Sequence, residues 1–177
     1  LHGEQLVFTA EGDLWLQDLA GKQAAERLTT HPAEEINAQW SPDGQYLAYQ
    51  ANYVGISEVY LLAKAGGQPK RLTFENSKVR LQGWTAQGEV LYSTDSKAGP
   101  VNQWLLKIVD PLTLQNRTLP LTDAVEGVID SKGEYVYFIR FGLQVTGDNA
   151  RQYRGGAMGQ LWRYRLDGRQ EAERLAA

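Results

Sequence analysis

The sequence predicts an all-β chain built from repeated four-stranded antiparallel units, the blades of a β-propeller. Three observations carry the prediction. Turn glycines recur at Gly44, Gly88 and Gly133, 44 and 45 residues apart. Aromatic residues at Trp15, Tyr60 and Trp104 share that spacing, 45 and 44 residues apart. A leucine closes each unit at Leu28, Leu72, Leu119 and Leu175, with intervals of 44, 47 and 56. A repeat of about 40–45 residues is the period of four-stranded blades.

Each element follows from local chemistry. Ser41-Pro42-Asp43-Gly44 is a tight turn: Pro fixes φ at its first central position, Asp bonds its own backbone, and Gly accepts positive φ. Ile36 to Trp40 and Tyr46 to Ala51 flank it with residues that suit a pleated surface. Glu58 to Ala63 and Lys70 to Phe74 complete a second unit, joined by Gly66-Gly67. The middle strands are apolar on both faces, as in sheets covered on both sides. The first unit contains Gln5 to Ala10, Leu14 to Leu19 and Glu26 to Thr29, which leaves its inner strand missing. The third runs through Val79 to Trp84, Glu89 to Ser93, Gln103 to Val109 and Gln115 to Leu121. The fourth holds Val125 to Asp130, Glu134 to Phe141 and Leu161 to Leu166, with an insertion over 142–159. The expected blades are therefore about 1–30, 31–75, 76–122 and 123–177, together one partial propeller of about four blades. Leu1 is not an initiator Met, so the chain reads as a piece of a longer one, the first part of a larger ring.

Composition bounds the function. Nine Tyr, five Trp and four Phe beside one Met suit β-structure. A net charge of −3 argues against nucleic acid as a partner. No apolar run is long enough for a transmembrane helix, so no membrane insertion is expected. Without Cys and with only His2 and His31, neither a His-based catalytic triad nor a metal centre is expected, and no cofactor. Asp43 reads as a turn former, since Gln87 and Lys132 take its place in other copies. Glu34-Glu35 reads as a solvated pair in the connection between blades. Gly155-Gly156-Ala157-Met158-Gly159 precedes a strand, so it offers no helix N-terminus to a phosphate. The candidate binding surface is the insertion. Arg151, Tyr153 and Arg154 lie within it, and Arg140, Arg163 and Arg165 flank it. Arginine matches carboxylates bidentately, so a peptide carboxylate is the ligand considered there.

Two resemblances follow from these residues. Trp40-Ser41-Pro42-Asp43-Gly44-Gln45-Tyr46-Leu47-Ala48-Tyr49 resembles the propeller repeat of TolB and its relatives. His2-Gly3-Glu4-Gln5-Leu6-Val7-Phe8, Gly12-Asp13-Leu14-Trp15, and Tyr153-Arg154-Gly155-Gly156 followed by Gly159-Gln160-Leu161-Trp162 are similar to the start of the tricorn protease propeller. The second resemblance implies a six-bladed N-terminal propeller. A seven-bladed propeller, a PDZ-like domain and serine-protease domains would follow it, and they would carry every catalytic residue. It further implies peptides as the molecules handled, the remaining blades and protease domains as partners, a homo-oligomer, and export to the periplasm. The TolB resemblance alone implies a protein-binding propeller with no enzyme attached.

Overall fold

The computed structural model describes residues 1–21, 23–96, 103–140 and 159–175. They form four antiparallel sheets, and no helix occurs among them. The first sheet has three strands, β1 (Gln5–Ala10), β2 (Asp13–Asp18) and β3 (Glu26–Arg27). The second has β4 (Glu35–Trp40), β5 (Tyr46–Ala51), β6 (Glu58–Ala63) and β7 (Lys70–Arg71). The third has β8 (Val79–Trp84), β9 (Val90–Thr94), β10 (Leu105–Val109) and β11 (Asn116–Thr118). The fourth has β12 (Ala124–Ile129), β13 (Tyr135–Arg140), β14 (Gln160–Arg165) and β15 (Glu173–Arg174). Within each sheet every strand lies beside its predecessor in sequence, the meander of a propeller blade.

The hairpin that opens each complete sheet is fixed the same way. Gly44, Gly88 and Gly133 all have positive φ, and their amides donate to the carbonyls of Ser41, Thr85 and Asp130 at 2.9, 3.0 and 3.0 Å. The side chains of those three residues also cap the returning strand. Ser41 Oγ accepts from Tyr46 N at 2.9 Å, Thr85 Oγ1 from Glu89 N at 3.1 Å, and Asp130 Oδ1 from Glu134 N at 2.7 Å. Asp43 stays in the turn: its Oδ1 accepts from Ser41 Oγ at 2.6 Å and Gln45 N at 3.1 Å. The Ser41 bond is the main reason its carboxyl lies below the usual range.

One ladder position is repeated in all four sheets. Phe8 pairs with Trp15, Tyr49 with Tyr60, Tyr92 with Lys107, and Phe138 with Trp162. One residue further along the outer strand, the amides of Leu28, Leu72, Leu119 and Leu175 bond the carbonyls of Leu14, Val59, Leu106 and Leu161 at 2.8–2.9 Å. This register corrects one sequence marker. Trp104 precedes β10, and Lys107 occupies the position of Trp15 and Tyr60. The outermost strands are also shorter than expected. Arg71 turns its Nε back to Thr73 O at 2.7 Å, so pairing stops before Phe74, which stays exposed.

Three apolar clusters join the sheets in chain order. Val7 and Leu14 of the first meet Leu47, Tyr49, Tyr60 and Leu62 of the second. Ala48, Val59, Leu61 and Leu72 then meet Val79, Leu81, Val90 and Tyr92 of the third. Leu91, Leu106 and Ile108 meet Ile129, Val136, Phe138 and Tyr164 of the fourth. The second and third sheets are thus buried on both faces. The third and fourth approach closely at Gly127, where a Cβ would come within 2.6 Å of Leu106 Cδ1. Near the innermost strands, Gln50 Oε1 accepts from Leu81 N at 2.9 Å, and Gln82 Oε1 from Gly127 N at 3.0 Å.

Polar clasps tie the third strand to the fourth. Glu58 is fully buried, and its carboxyl accepts from Thr73 Oγ1, from Arg71 at 2.8 Å and from Asn76 N at 3.1 Å. The first sheet repeats part of the device: Arg27 pairs with Asp13, and Thr29 Oγ1 accepts from Leu14 N as Thr73 Oγ1 does from Val59 N. Removing one partner of a buried ion pair strands the other charge. Arg71→Met should therefore cost roughly 3 kcal/mol, read as a lowered denaturation midpoint. Adding Glu58→Gln should recover part of the loss, because the stranded charge is then gone.

Candidate functional site

Antiparallel meanders send the second-to-third and fourth-to-first connections to one end of the stack and the other turns to the opposite end. β13 ends and β14 begins at the same end as the connections between sheets. Arg151, Tyr153 and Arg154 lie outside the described residues. Of the flanking arginines, the structure separates what the sequence grouped. Arg140 shares a sheet face with Phe138 and Trp162, and its guanidinium lies 5.2 Å from the Trp162 ring centroid and donates to Thr122 Oγ1 at 2.9 Å. Arg163 and Arg165 point from the other face. They flank Tyr135 at 5.3 and 5.8 Å from its ring and pair with Glu173 and Asp167. These three do not form one clamp.

The structure instead shows a feature that the sequence did not mark, a set of equivalent clefts where neighbouring sheets meet. Between the first and second sheets a cleft of about 420 Å³ is lined by Leu28, Thr29, Thr30, His31, Glu35 and Tyr53, with Leu62, Gln68 and Pro69 opposite. Between the third and fourth, an open cleft of about 660 Å³ is lined by Pro120, Arg140, Trp162, Tyr164 and residues 168–172. The charges in these interfaces differ. The first cleft has a carboxyl at its base, and the last has a guanidinium on its wall. At the second-to-third interface the charge is matched internally: Lys107 Nζ lies 2.8 and 3.0 Å from the Glu75 oxygens, and Tyr92 Oη donates to the same carboxyl at 2.8 Å.

Glu35 corrects a sequence reading. It begins β4 instead of lying in a solvated loop, and it is completely buried. Its amide donates to Gly12 O at 2.8 Å, its carbonyl accepts from Thr9 Oγ1 at 3.0 Å, and its carboxyl accepts from Thr29 Oγ1 and Tyr53 Oη. The Tyr53 hydroxyl lies 2.9 Å from that of Tyr49, and the His31 ring packs on Tyr53 with centroids 4.2 Å apart. Burial, reinforced by the bonds to Glu35 and Tyr49, pushes the Tyr53 phenol far above its ordinary value, and burial does the same to Tyr49. Both stay protonated and serve as hydroxyl donors. The sequence signal was the adjacent Ile36-Asn37-Ala38-Gln39-Trp40 strand, which continues one residue earlier than its apolar pattern suggests.

These features define the class: consecutive four-stranded propeller blades packed face to face, with variable clefts at their edges. Residues 1–177 match the tricorn protease N-terminal beta propeller domain, and the chain belongs to that family. It is 32% identical over 175 residues to tricorn protease homolog 1 of Streptomyces coelicolor, an alignment covering 94% of this chain and 15% of that protein. A second tricorn protease homolog of the same organism is 32% identical over 176 residues, covering 92% and 14%. A TolB-type protein of Agrobacterium tumefaciens superposes with a TM-score of 0.73 at 25% identity, covering 99% of this chain and 58% of that one. The chain therefore spans about a seventh of the curated relatives it matches.

The Glu75 site yields a pH prediction. Burial is the largest influence and raises its carboxyl, but the bonds from Lys107 and Tyr92 and the charge of Lys107 together hold it below the usual range. A depressed carboxyl stabilises the fold above its unfolded value and loses that contribution as pH falls through the folded value. Lys107→Met removes the largest of the influences that lower the Glu75 carboxyl. Urea midpoints between about pH 7 and about pH 3 should show a weaker acid loss than the parent and a lower plateau at neutral pH.

Proposed function

We propose that this chain is a non-catalytic propeller segment of a tricorn-like serine peptidase, acting as scaffold and gate for peptides moving to or from the proteolytic chamber. The observation that carries the proposal is the family match over residues 1–177. The peptidase activity, the chamber, the homo-oligomer and the remaining blades and protease domains as partners belong to the proposal. So does the division into blades at about 1–30, 31–75, 76–122 and 123–177 of a six-bladed ring. The four sheets described above support that division, with the first sheet lacking an inner strand. Within the gate, Arg151, Tyr153 and Arg154 are proposed on sequence grounds to hold a peptide carboxylate.

The similarity to the Agrobacterium TolB-type protein favours a second reading, a propeller that docks a protein partner and has no enzyme attached. One set of measurements on the intact protein separates the two. Ile36 and Val128 stand exposed on the innermost strands β4 and β12. If these strands border the peptide path, Ile36→Trp with Val128→Trp should slow hydrolysis of peptides of about ten residues several-fold. A dipeptide-length chromogenic substrate should be cleaved at the parent rate. Arg151→Ala with Arg154→Ala should raise KM for free-carboxylate peptides and leave C-terminally amidated ones unchanged. Equal effects on long and short substrates would overturn the gate, and absence of peptidase activity in the intact protein would favour the docking module.

A further inference from the structure

The edge clefts of adjacent sheets differ in one respect that points to a ligand. Asp13, Glu58 and Glu75 are shielded carboxyls, and each holds a cation from its own chain: Arg27, Arg71 and Lys107. Glu35 is as deeply buried as Glu58, yet among the described residues no lysine, arginine or N-terminus lies within ion-pair distance of it. At the ladder position where the third sheet supplies Lys107, the second supplies Tyr60. Burying a carboxyl without a counter-charge is unfavourable to its charged form, and Thr29 and Tyr53 offer Glu35 only neutral donors. Directly against this group lies the cleft of about 420 Å³, within the size range of small-ligand sites, about 300–1,000 Å³.

We propose that this cleft binds a primary ammonium group, the cation offered by a lysine side chain or by the N-terminus of a peptide. The walls select for it. Thr30, Gln68 and Tyr53 line the cleft with one acceptor oxygen each, a match for the three N–H donors of an ammonium. Leu28, Leu62, Pro32 and Pro69 offer apolar surface to the methylenes behind it. A divalent metal fits poorly: no group of three metal-ligating side chains occurs among the described residues, and calcium takes about six to eight oxygens. Because Glu35 is sealed from solvent, the ammonium sits against Tyr53, whose hydroxyl connects it to the carboxyl. That hydroxyl donates to Glu35 and is bonded to Tyr49, which leaves one lone pair on its oxygen to accept from the ligand. Assigning the ammonium to a peptide rests on the proposed role in peptide passage, whereas ammonium binding itself does not.

The test is ligand-observed NMR titration of the intact protein with three probes. Nα-acetyl-lysine amide carries a side-chain ammonium, leucine amide carries only an α-ammonium, and N-acetyl-norleucine amide is neutral. Saturable binding of either charged probe, at least about tenfold tighter than the neutral one, supports the site, and which of them binds identifies the lysine or terminal source. Glu35→Gln, isosteric and uncharged, should abolish this preference, and Tyr53→Phe should weaken charged-probe binding by about tenfold. If Glu35→Gln does not fold, the probe comparison on the parent and on Tyr53→Phe decides. Equal binding of charged and neutral probes, no saturable binding, or an unchanged preference in Glu35→Gln would each overturn the proposal. None of these readouts involves peptidase activity, so their failure is distinct from failure of the gate.

Discussion

Burial of both faces of each interior sheet is the constraint from which the rest of this structure follows. A sheet such as β4–β7 carries Leu47, Tyr49, Tyr60 and Leu62 on one face and Ala48, Val59, Leu61 and Leu72 on the other. It has no polar face to turn to water, so it is stable only between two neighbours. Apolar burial is non-directional and fixes no register by itself. Register comes instead from the hairpins, each pinned by a glycine at positive φ and a capping oxygen from Ser41, Thr85 or Asp130. A slip of one residue would exchange the two faces, and in a sheet covered on both sides that slip costs less than usual. The repeated hairpin cap therefore matters more here than in a sheet with one wet face.

Polar groups taken into such a stack must be satisfied where they sit. The chain does so at two depths. Near the innermost strands, Gln50 and Gln82 reach across to backbone amides of the next sheet. Toward the outer strands, Glu58 is closed by Arg71 and Thr73, and Asp13 pairs with Arg27. The outer strands β3 and β7 need little ladder of their own, because these side chains help hold them; each pairs over two residues.

The regular parts of this design were legible in the sequence, and the irregular parts were not, for physical reasons. Turn chemistry and the apolar middle strands have strong local signatures, so β6 and β8 appear with the bounds their residues predict. Trp104 misled because an aromatic near the right spacing is indistinguishable, in sequence, from one at the right ladder position. Only the pairing of Lys107 with Tyr92 shows which residue holds that place. Glu35 was missed because a carboxyl beside another acidic residue reads as solvated. Its burial depends on Thr29 and Tyr53, which come from two different connections. Arg140, Arg163 and Arg165 looked like a cluster along the chain, but strand alternation places Arg140 on the opposite face from the other two.

The same physics separates what the fold fixes from what it leaves free to vary. Positions such as Tyr49, Tyr92 and Phe138 repeat because each of the three interfaces takes a large flat side chain there. The edges of those interfaces carry no such requirement. One holds Glu35 with two tyrosines, the next a closed Glu75–Lys107 pair, and the third Arg140 against Trp162. A stack of alike blades thus presents unlike clefts in succession, each set by two or three side chains that can change without disturbing the apolar layers beneath. Function built on such a scaffold is written at the blade edges and connections, where it is least visible to a reading based on periodicity.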